Sequence, residues 1–234
     1  MGVKHLFKEL FSFNLVKIKA GPLKGKKWIL TSGGKFISGT HEPYKTEAIM
    51  NNFTKGTVFF DIGAHFGYYS AIAAMLNEGE EQVFAFEPRP MNARFFRKHM
   101  NINRFDNVVL FETAVGEADT EVFFDSGYGS ATGRVSAKGN IKVRQVSIDR
   151  MVKDKTLPLP GFIKIDVEGG EIEVLKGLKD VVASCRPKML VATHNPRCHG
   201  YVLNFLEENG YRFEILNPGS VDGDTEIMGI AVTR

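Results

Sequence analysis

Two glycine-punctuated acidic segments carry the chemistry this chain can offer. The first is Val58-Phe59-Phe60-Asp61-Ile62-Gly63-Ala64-His65-Phe66-Gly67; the second is Phe162-Ile163-Lys164-Ile165-Asp166-Val167-Glu168-Gly169-Gly170-Glu171. Each runs from an apolar stretch directly into carboxylates and glycines. A buried parallel strand ends in this way where it meets a ligand.

The first segment has the spacing of a cofactor loop. Asp61-x-Gly63-x-x-x-Gly67 follows an expected strand and opens an expected helix, and its glycines let a ligand lie against the backbone. Glu87 ends the next strand, 20 residues after Gly67, where an acid takes ribose hydroxyls. A nicotinamide dinucleotide fold shares this layout, but its fingerprint G-x-G-x-x-G needs a third glycine. Its pyrophosphate also sits badly beside a carboxylate such as Asp61. S-adenosylmethionine (SAM) has no phosphate and carries an ammonium and a sulfonium, which suit Asp61. The plainer alternative is that Asp61 only caps the turn. Ala64 and Ser70 are counted with this loop as cofactor-binding positions.

The second segment reads as the reaction side. Methyl transfer from a sulfonium needs the acceptor held in line, worth about 7–11 kcal/mol, and an acceptor that must lose a proton needs a base, which adds roughly 10²–10⁴-fold. Asp166 and Glu168 fall on one side if the strand continues through both. Asp166 is assigned a catalytic or SAM-adjacent role, and Glu168 acceptor contact or base work. Lys164 could neutralise Asp166. Glu171 opens the next helix, where a carboxylate favours the dipole, so it also reads as a cap. His194 ends the following strand and is the alternative base. With Asn195, Cys198 and His199 it makes no recognised zinc spacing. Asp166 and Glu168 could bind Mg²⁺, but no metal ligand set is expected.

The elements that must position these groups alternate. Strands are expected at 57–61, 82–87, 108–113, 161–166 and 188–193, with helices at 67–77, 89–103, 171–182 and 201–209, and final strands at 212–216 and 226–233. Such alternation implies βαβ units and a mostly parallel sheet. Residues 121–124 and 141–147 read as an inserted hairpin. The glycine-rich loop between them, with Tyr128, Ser130, Thr132 and Arg134, is the expected acceptor lid. Residues 1–53 form an N-terminal extension with a small β element and a helix over 42–53, and residues 54–234 form the main domain. Val3, Leu6, Phe7, Leu10 and Phe11 share one helical face. That helix either packs on the domain or touches an anionic membrane, since residues 1–27 hold seven lysines against Glu9.

Composition narrows the classes. The net charge of +3 is too small to argue for nucleic acid. Cys185 and Cys198 form no disulfide framework and no CxxC pair, consistent with reduced thiols in the cytosol. No apolar run approaches the ~20 residues that span a bilayer, and charges at Lys4, Lys8 and Glu9 interrupt any signal-peptide core. The expected location is cytoplasmic, with peripheral membrane contact through the basic helix as the sharper reading. Nineteen phenylalanines against one tryptophan point to a core built on Phe.

The DIGAHFGYYS, AFEPRP and IKIDVEGGE runs, in this order, resemble the FkbM family of SAM-dependent methyltransferases. Thr113-Ala114-Val115-Gly116, Val146-Ser147-Ile148-Asp149 and Gly39-Thr40-His41-Glu42 add to the resemblance. It implies an α/β class I methyltransferase fold, Rossmann-like, with seven strands, helices on both faces and the last strand antiparallel. It implies SAM as cofactor and a hydroxyl acceptor on a sugar, glycan, lipid-linked or secondary-metabolite molecule. By position, Asp61, Gly63 and Gly67 would line the methionine end, Glu87 would hold the ribose with Pro88 shaping its turn, and Thr113 and Ala114 would border the adenine. One departure stands out: Ala192 occupies the place, two residues before His194, where the family often has Glu. A nicotinamide oxidoreductase and a SAM-binding protein without turnover are the alternatives. The acceptor's identity and the oligomeric state are not readable at this level.

Overall fold

The computed structural model describes residues 14–79, 82–127, 133–217 and 223–232. The expected helix around Val3–Phe11 and the lid residues Tyr128, Ser130 and Thr132 lie outside them. In chain order the elements begin with β1 (Leu15–Lys17), β2 (Lys27–Ile29), α1 (Gly34–Ser38) and α2 (Pro43–Asn52). There follow β3 (Phe59–Ile62), α3 (Tyr68–Leu76), β4 (Val83–Phe86), α4 (Pro90–Asn103) and β5 (Val108–Phe111). An insertion holds β6 (Ala114–Val115), β7 (Thr120–Asp125), β8 (Arg134–Val135) and β9 (Ile141–Val146). The chain then forms α5 (Ile148–Lys153), β10 (Phe162–Ile165), α6 (Glu171–Lys176), α7 (Lys179–Cys185), β11 (Lys188–His194), α8 (Pro196–Glu208), β12 (Tyr211–Ile215) and β13 (Asp224–Ala231).

Seven strands form one sheet in the order β12-β13-β11-β10-β3-β4-β5. The last strand, β13, runs antiparallel to both its neighbours, and the strands from β11 to β5 are parallel. This is the mostly parallel sheet expected from the alternation and the class I methyltransferase architecture that the resemblance implies. The strand order reverses at β3 and β10, so the carboxyl ends of these two strands open the crevice where ligands bind in such sheets.

Successive residues of a strand face opposite sides, and here both sides are apolar. Phe59 and Phe162 pack at 5.4 Å between ring centroids on one face, while Phe60 meets Phe84 edge-on at 5.7 Å on the other. Both faces of the sheet are therefore covered, as a parallel sheet requires. The N-terminal segment joins the first of these cores through Trp28, which is fully buried and stacks on His99 at 3.6 Å. His99 Nδ1 lies 2.8 Å from the Phe66 carbonyl and Nε2 accepts the Ile29 amide at 3.1 Å. Burial holds this ring down at about 4, so it is neutral, with its proton on Nδ1 facing the carbonyl. The hairpin β1–β2 is thereby pinned to α4 and to the loop carrying Gly63.

Three elements differ from the sequence expectation. The inserted hairpin is a four-stranded sheet in the order β6-β9-β7-β8. The helix expected over 171–182 is two helices: the chain bends at Gly177, whose Cα faces the Gly116 carbonyl so closely that a side chain would overlap it. The helix expected at 201 starts at Pro196, because the Asn195 side chain accepts the Cys198 amide at 2.9 Å and proline suits the first helical position. Among the described residues no helix is long and apolar enough to cross a membrane.

Candidate active site

The two acidic segments meet at the crevice backbone to backbone. Gly63 and Ala64 donate their amides to the Phe86 carbonyl, both at 3.0 Å, and the Asp166 amide bonds Ile62 O at 3.0 Å. Gly63 has φ 77° and its Cα faces the Asp166 carbonyl so closely that any Cβ would overlap that oxygen. Only glycine satisfies both demands. Gly67, with φ 84°, begins α3 and packs on Phe96 and Met100.

A cavity of about 420 Å³ lies over these strand ends, within the usual range for small-molecule sites. Gly63, Ala64, Glu87, Pro88, Thr113 and Ala114 line one side of it. Glu87 is almost fully buried and accepts the His65 and Arg89 amides at 2.8 and 2.9 Å and Asn92 Nδ2 at 3.2 Å. Burial raises its pKa, and those amides oppose the rise. Asp61 and Ser70 lie behind this wall. Asp61 is fully buried, its Oδ1 3.0 Å from Lys164 Nζ and its Oδ2 accepting Ser70 Oγ at 2.6 Å. Lys164 also reaches the Gly63 carbonyl at 2.7 Å, and stands 3.9 Å from Asp166. Its nearest carboxylate is thus Asp61, with Asp166, the partner expected from the sequence, farther off. Three buried polar atoms in the wall have no partner among the described residues: His65 Nε2, Tyr68 Oη and Thr113 Oγ1. Burial and the neighbouring cations push His65 down to about 3, so this ring is neutral.

On the opposite side stand Asp166, Glu168 and His194. His194 Nδ1 bonds Glu171 Oε1 at 2.6 Å, and its Nε2 lies 3.4 Å from Asp166 and 3.7 Å from Glu168. Burial alone would lower His194, but hydrogen bonds to Asp166 and Glu171 and the charges of Asp166 and Glu168 hold it up at about 10. The ring is an imidazolium at neutral pH and donates from both nitrogens. Burial would raise Asp166, yet the ammoniums of Lys45 and Lys164 and the His194 ring keep it well below the usual carboxylate range. Glu168 moves the other way: burial raises it, His194 opposes this, and the charges of Asp166 and Glu171 add to the rise. Glu168 also sits at φ 55°, a left-handed conformation costly for a residue with a Cβ.

Glu171 does two things. It accepts the Gly169 amide at 2.9 Å at the start of α6, as a cap would, and it fixes the His194 ring. The second role was not visible in the sequence. Nor were Glu42 and Lys45, brought in by α2, or Asp224 and Glu226, brought in by β13; all four line the cavity. Lys45 is buried, with Nζ 2.7 Å from Asp166, 3.1 Å from Glu42 and 3.6 Å from Glu226. Glu42 in turn accepts Tyr69 Oη at 2.7 Å. Phe124, Gly133 and Val135 of the insertion line part of the wall, while Arg134 is exposed and does not line it.

Asp166, Glu168 and His194 present oxygen and nitrogen atoms all within 4.8 Å of one another, near enough to share an ion. Two features oppose a divalent cation at this point. The Lys45 ammonium already occupies one oxygen of Asp166, and His194 would have to lose a proton that two carboxylates hold. As built, the cluster is a proton and ion-pair network.

The chain matches the family model described as the methyltransferase FkbM domain over residues 61–213. Hexuronic acid methyltransferase AglP of Haloferax volcanii is 31% identical over 139 residues, covering 58% of this chain and 56% of that protein. The methyltransferase FkbM structure from Methylobacillus flagellatus KT superposes with a TM-score of 0.52 at 18% identity, over 74% of this chain and 43% of that one. A SAM-dependent O-methyltransferase from Thermotoga maritima superposes with a TM-score of 0.51 at 13% identity, over 83% and 66%. The chain spans about half the length of the relatives it matches first. At these identities the two structures speak for the fold alone.

Proposed function

The chain belongs to the FkbM methyltransferase family, and from that premise we propose that it is a SAM-dependent O-methyltransferase acting on a hydroxyl of a sugar-type acceptor. The observation that carries this reading is the cavity at the β3–β10 switch point, walled on one side by the glycine cradle and Glu87 and on the other by an ion-paired acid cluster. Family membership lends nothing to the nicotinamide alternative or to binding without turnover.

The residues present fit the cofactor. His65 Nε2, Tyr68 Oη and Thr113 Oγ1 are buried polar atoms lacking partners, and such atoms are expensive unless a ligand satisfies them. Gly63 and Ala64 would lie along the methionine end, Glu87 and Pro88 along the ribose, and Thr113 and Ala114 along the adenine. Asp61, Gly67 and Ser70 would act from behind, Asp61 by holding Lys164 and the loop in place. SAM, when bound, supplies an electrophilic methyl group on a sulfonium sulfur.

Glu168 is the proposed base. Its raised pKa, its half-exposed position in the cavity and its strained backbone favour it. Asp166 is too strongly held as an anion to take a proton readily, and His194 has no free nitrogen while it is an imidazolium. We assign His194 to orient the acceptor oxygen and to stabilise Glu168, with Glu171 fixing its ring. Phe36, Phe124 and Val135 add apolar surface to the wall of the cavity.

The 54–234 body would then carry the chemistry, with 1–53 completing the wall through Glu42 and Lys45. The two unpaired cysteines agree with a cytoplasmic protein, and the basic segment before residue 14 is proposed as its peripheral membrane contact. Calorimetric titration with SAM and with NAD, followed by transfer from labelled SAM to a glycan panel with and without EDTA, tests the reading. SAM binding with EDTA-insensitive transfer is expected; NAD binding without SAM binding would sink it.

A further inference from the structure

The acceptor side of the cavity has a floor made by two paired strands. In the β11–β13 register Ala192 lies opposite Glu226 and His194 opposite Asp224. Paired residues and their i+2 neighbours share one face, and all four line the cavity. The pair between them, Thr193 and Thr225, faces away and is buried, with hydroxyls 3.0 Å apart. Ala192 is the only short side chain of the four, so the space above it is open to a ligand, and Glu226 borders that space.

The charge of this region is one-sided. Glu42, Asp166, Glu168, Asp224 and Glu226 line it, with Lys45, Lys164 and His194 as their cations. Lys45 is held most closely by Asp166 and Glu42, and His194 by Glu171. Among the described residues Glu226 makes a loose ion pair with Lys45, at 3.6 Å. Burial raises its pKa, Lys45 opposes the rise, and the charges of Glu42 and Asp166 add to it.

Resting on the methyltransferase reading above, we propose that Glu226 and Asp224, with the gap over Ala192, form an acceptor platform selecting a hydroxyl on an uncharged or amino-bearing sugar and rejecting a sugar that carries a carboxylate or phosphate. A carboxylate only accepts hydrogen bonds. Neighbouring sugar hydroxyls can donate to its two oxygens, and an ammonium makes the stronger charge-assisted bond. A uronate would instead set like charges together in a desolvated site, which discriminates against a wrong partner. Both carboxylates lie beyond residue 213, outside the span of the family match, so this specificity belongs to the chain's own C-terminal strand.

The test uses the full chain loaded with S-adenosylhomocysteine (SAH) and titrated with methyl glucoside, glucosamine and glucuronate, read by saturation-transfer NMR. Wild type should bind the first two and not glucuronate. Glu226→Lys should weaken glucosamine by about tenfold or more and admit glucuronate. Glu226→Gln, which keeps the shape but only one acceptor oxygen, should weaken glucosamine more than it weakens methyl glucoside. Glucuronate binding to wild type as well as methyl glucoside does, no sugar binding at all, or an unchanged preference in Glu226→Lys would each overturn the proposal. SAH calorimetry separates the two levels. Without SAH binding the methyltransferase reading falls, and this inference with it; SAH binding with a preference for glucuronate overturns this inference alone.

Discussion

The Lys45 ammonium lies 2.7 Å from Asp166 Oδ2 across 121 residues of sequence, so a helix outside the matched methyltransferase span completes the acid cluster of the second segment. Lys45 is buried, and its pKa is raised: burial opposes its charge, but Asp166, Glu42 and Glu226 more than compensate. Removing it strands three carboxylates around one desolvated point. Breaking a buried pair by deleting one partner costs about 3–5 kcal/mol. Lys45→Met should therefore lower the urea midpoint strongly, and Lys45→Met with Asp166→Asn should recover part of the loss. Additive losses in that double-mutant cycle would mean the pair is not coupled.

His194 sets a pH window. Its folded pKa, near 10, stands above the ordinary imidazole value near 6.5. A group raised in this way contributes stability that is complete below about pH 6.5 and lost as pH rises through about 10. Denaturant midpoints measured from pH 6 to 10.5 should fall toward the alkaline end in wild type and fall less in His194→Asn. Equal slopes in the two proteins would show that the ring is not the imidazolium described here.

Glu168→Gln separates base from scaffold. The amide keeps the size but cannot take a proton, so turnover should drop by roughly 10²–10⁴-fold with SAH affinity nearly unchanged. Asp166→Asn should behave differently, because Asp166 balances Lys45 and His194, and its loss should lower stability together with turnover. A Glu168→Gln enzyme with full activity would move the base elsewhere.

Much of this was legible along the chain because it depends on local pattern. Strand–helix alternation places seven strands, and Asp61, Gly63, Glu87, Asp166 and His194 all come at strand ends. What stayed hidden depends on pairing between distant segments. Glu226 is one more charge in a C-terminal strand until the β11–β13 register sets it opposite Ala192. Lys45 is one more lysine of the helix expected over 42–53 until α2 turns it onto Asp166. Gly177 reads as a tolerated helix glycine, because the Gly116 carbonyl that excludes a side chain there comes from a loop far upstream. In the sequence Asp61 suits a cationic ligand, whereas Lys164, three residues into the second segment, supplies a cation from within the protein.

The sharpest test of how the two segments meet is Gly63→Ala. The methyl group would overlap the Asp166 carbonyl oxygen, and φ 77° disfavours any residue with a Cβ. The conformational strain alone is of order 1–3 kcal/mol, and relieving the overlap must push β3 and β10 apart at their carboxyl ends. That displacement would carry the Asp166 backbone away from Ile62 and with it the side chain that Lys45 and His194 hold. The variant should therefore lose SAH affinity and turnover together, beyond what its fall in melting temperature explains. Gly79→Ala is the control: it has a similar φ of 83° but open space around it, so it should cost stability while leaving SAH affinity intact. Matching losses of affinity in both variants would mean that backbone strain, and not the contact between the two segments, sets the geometry of the site.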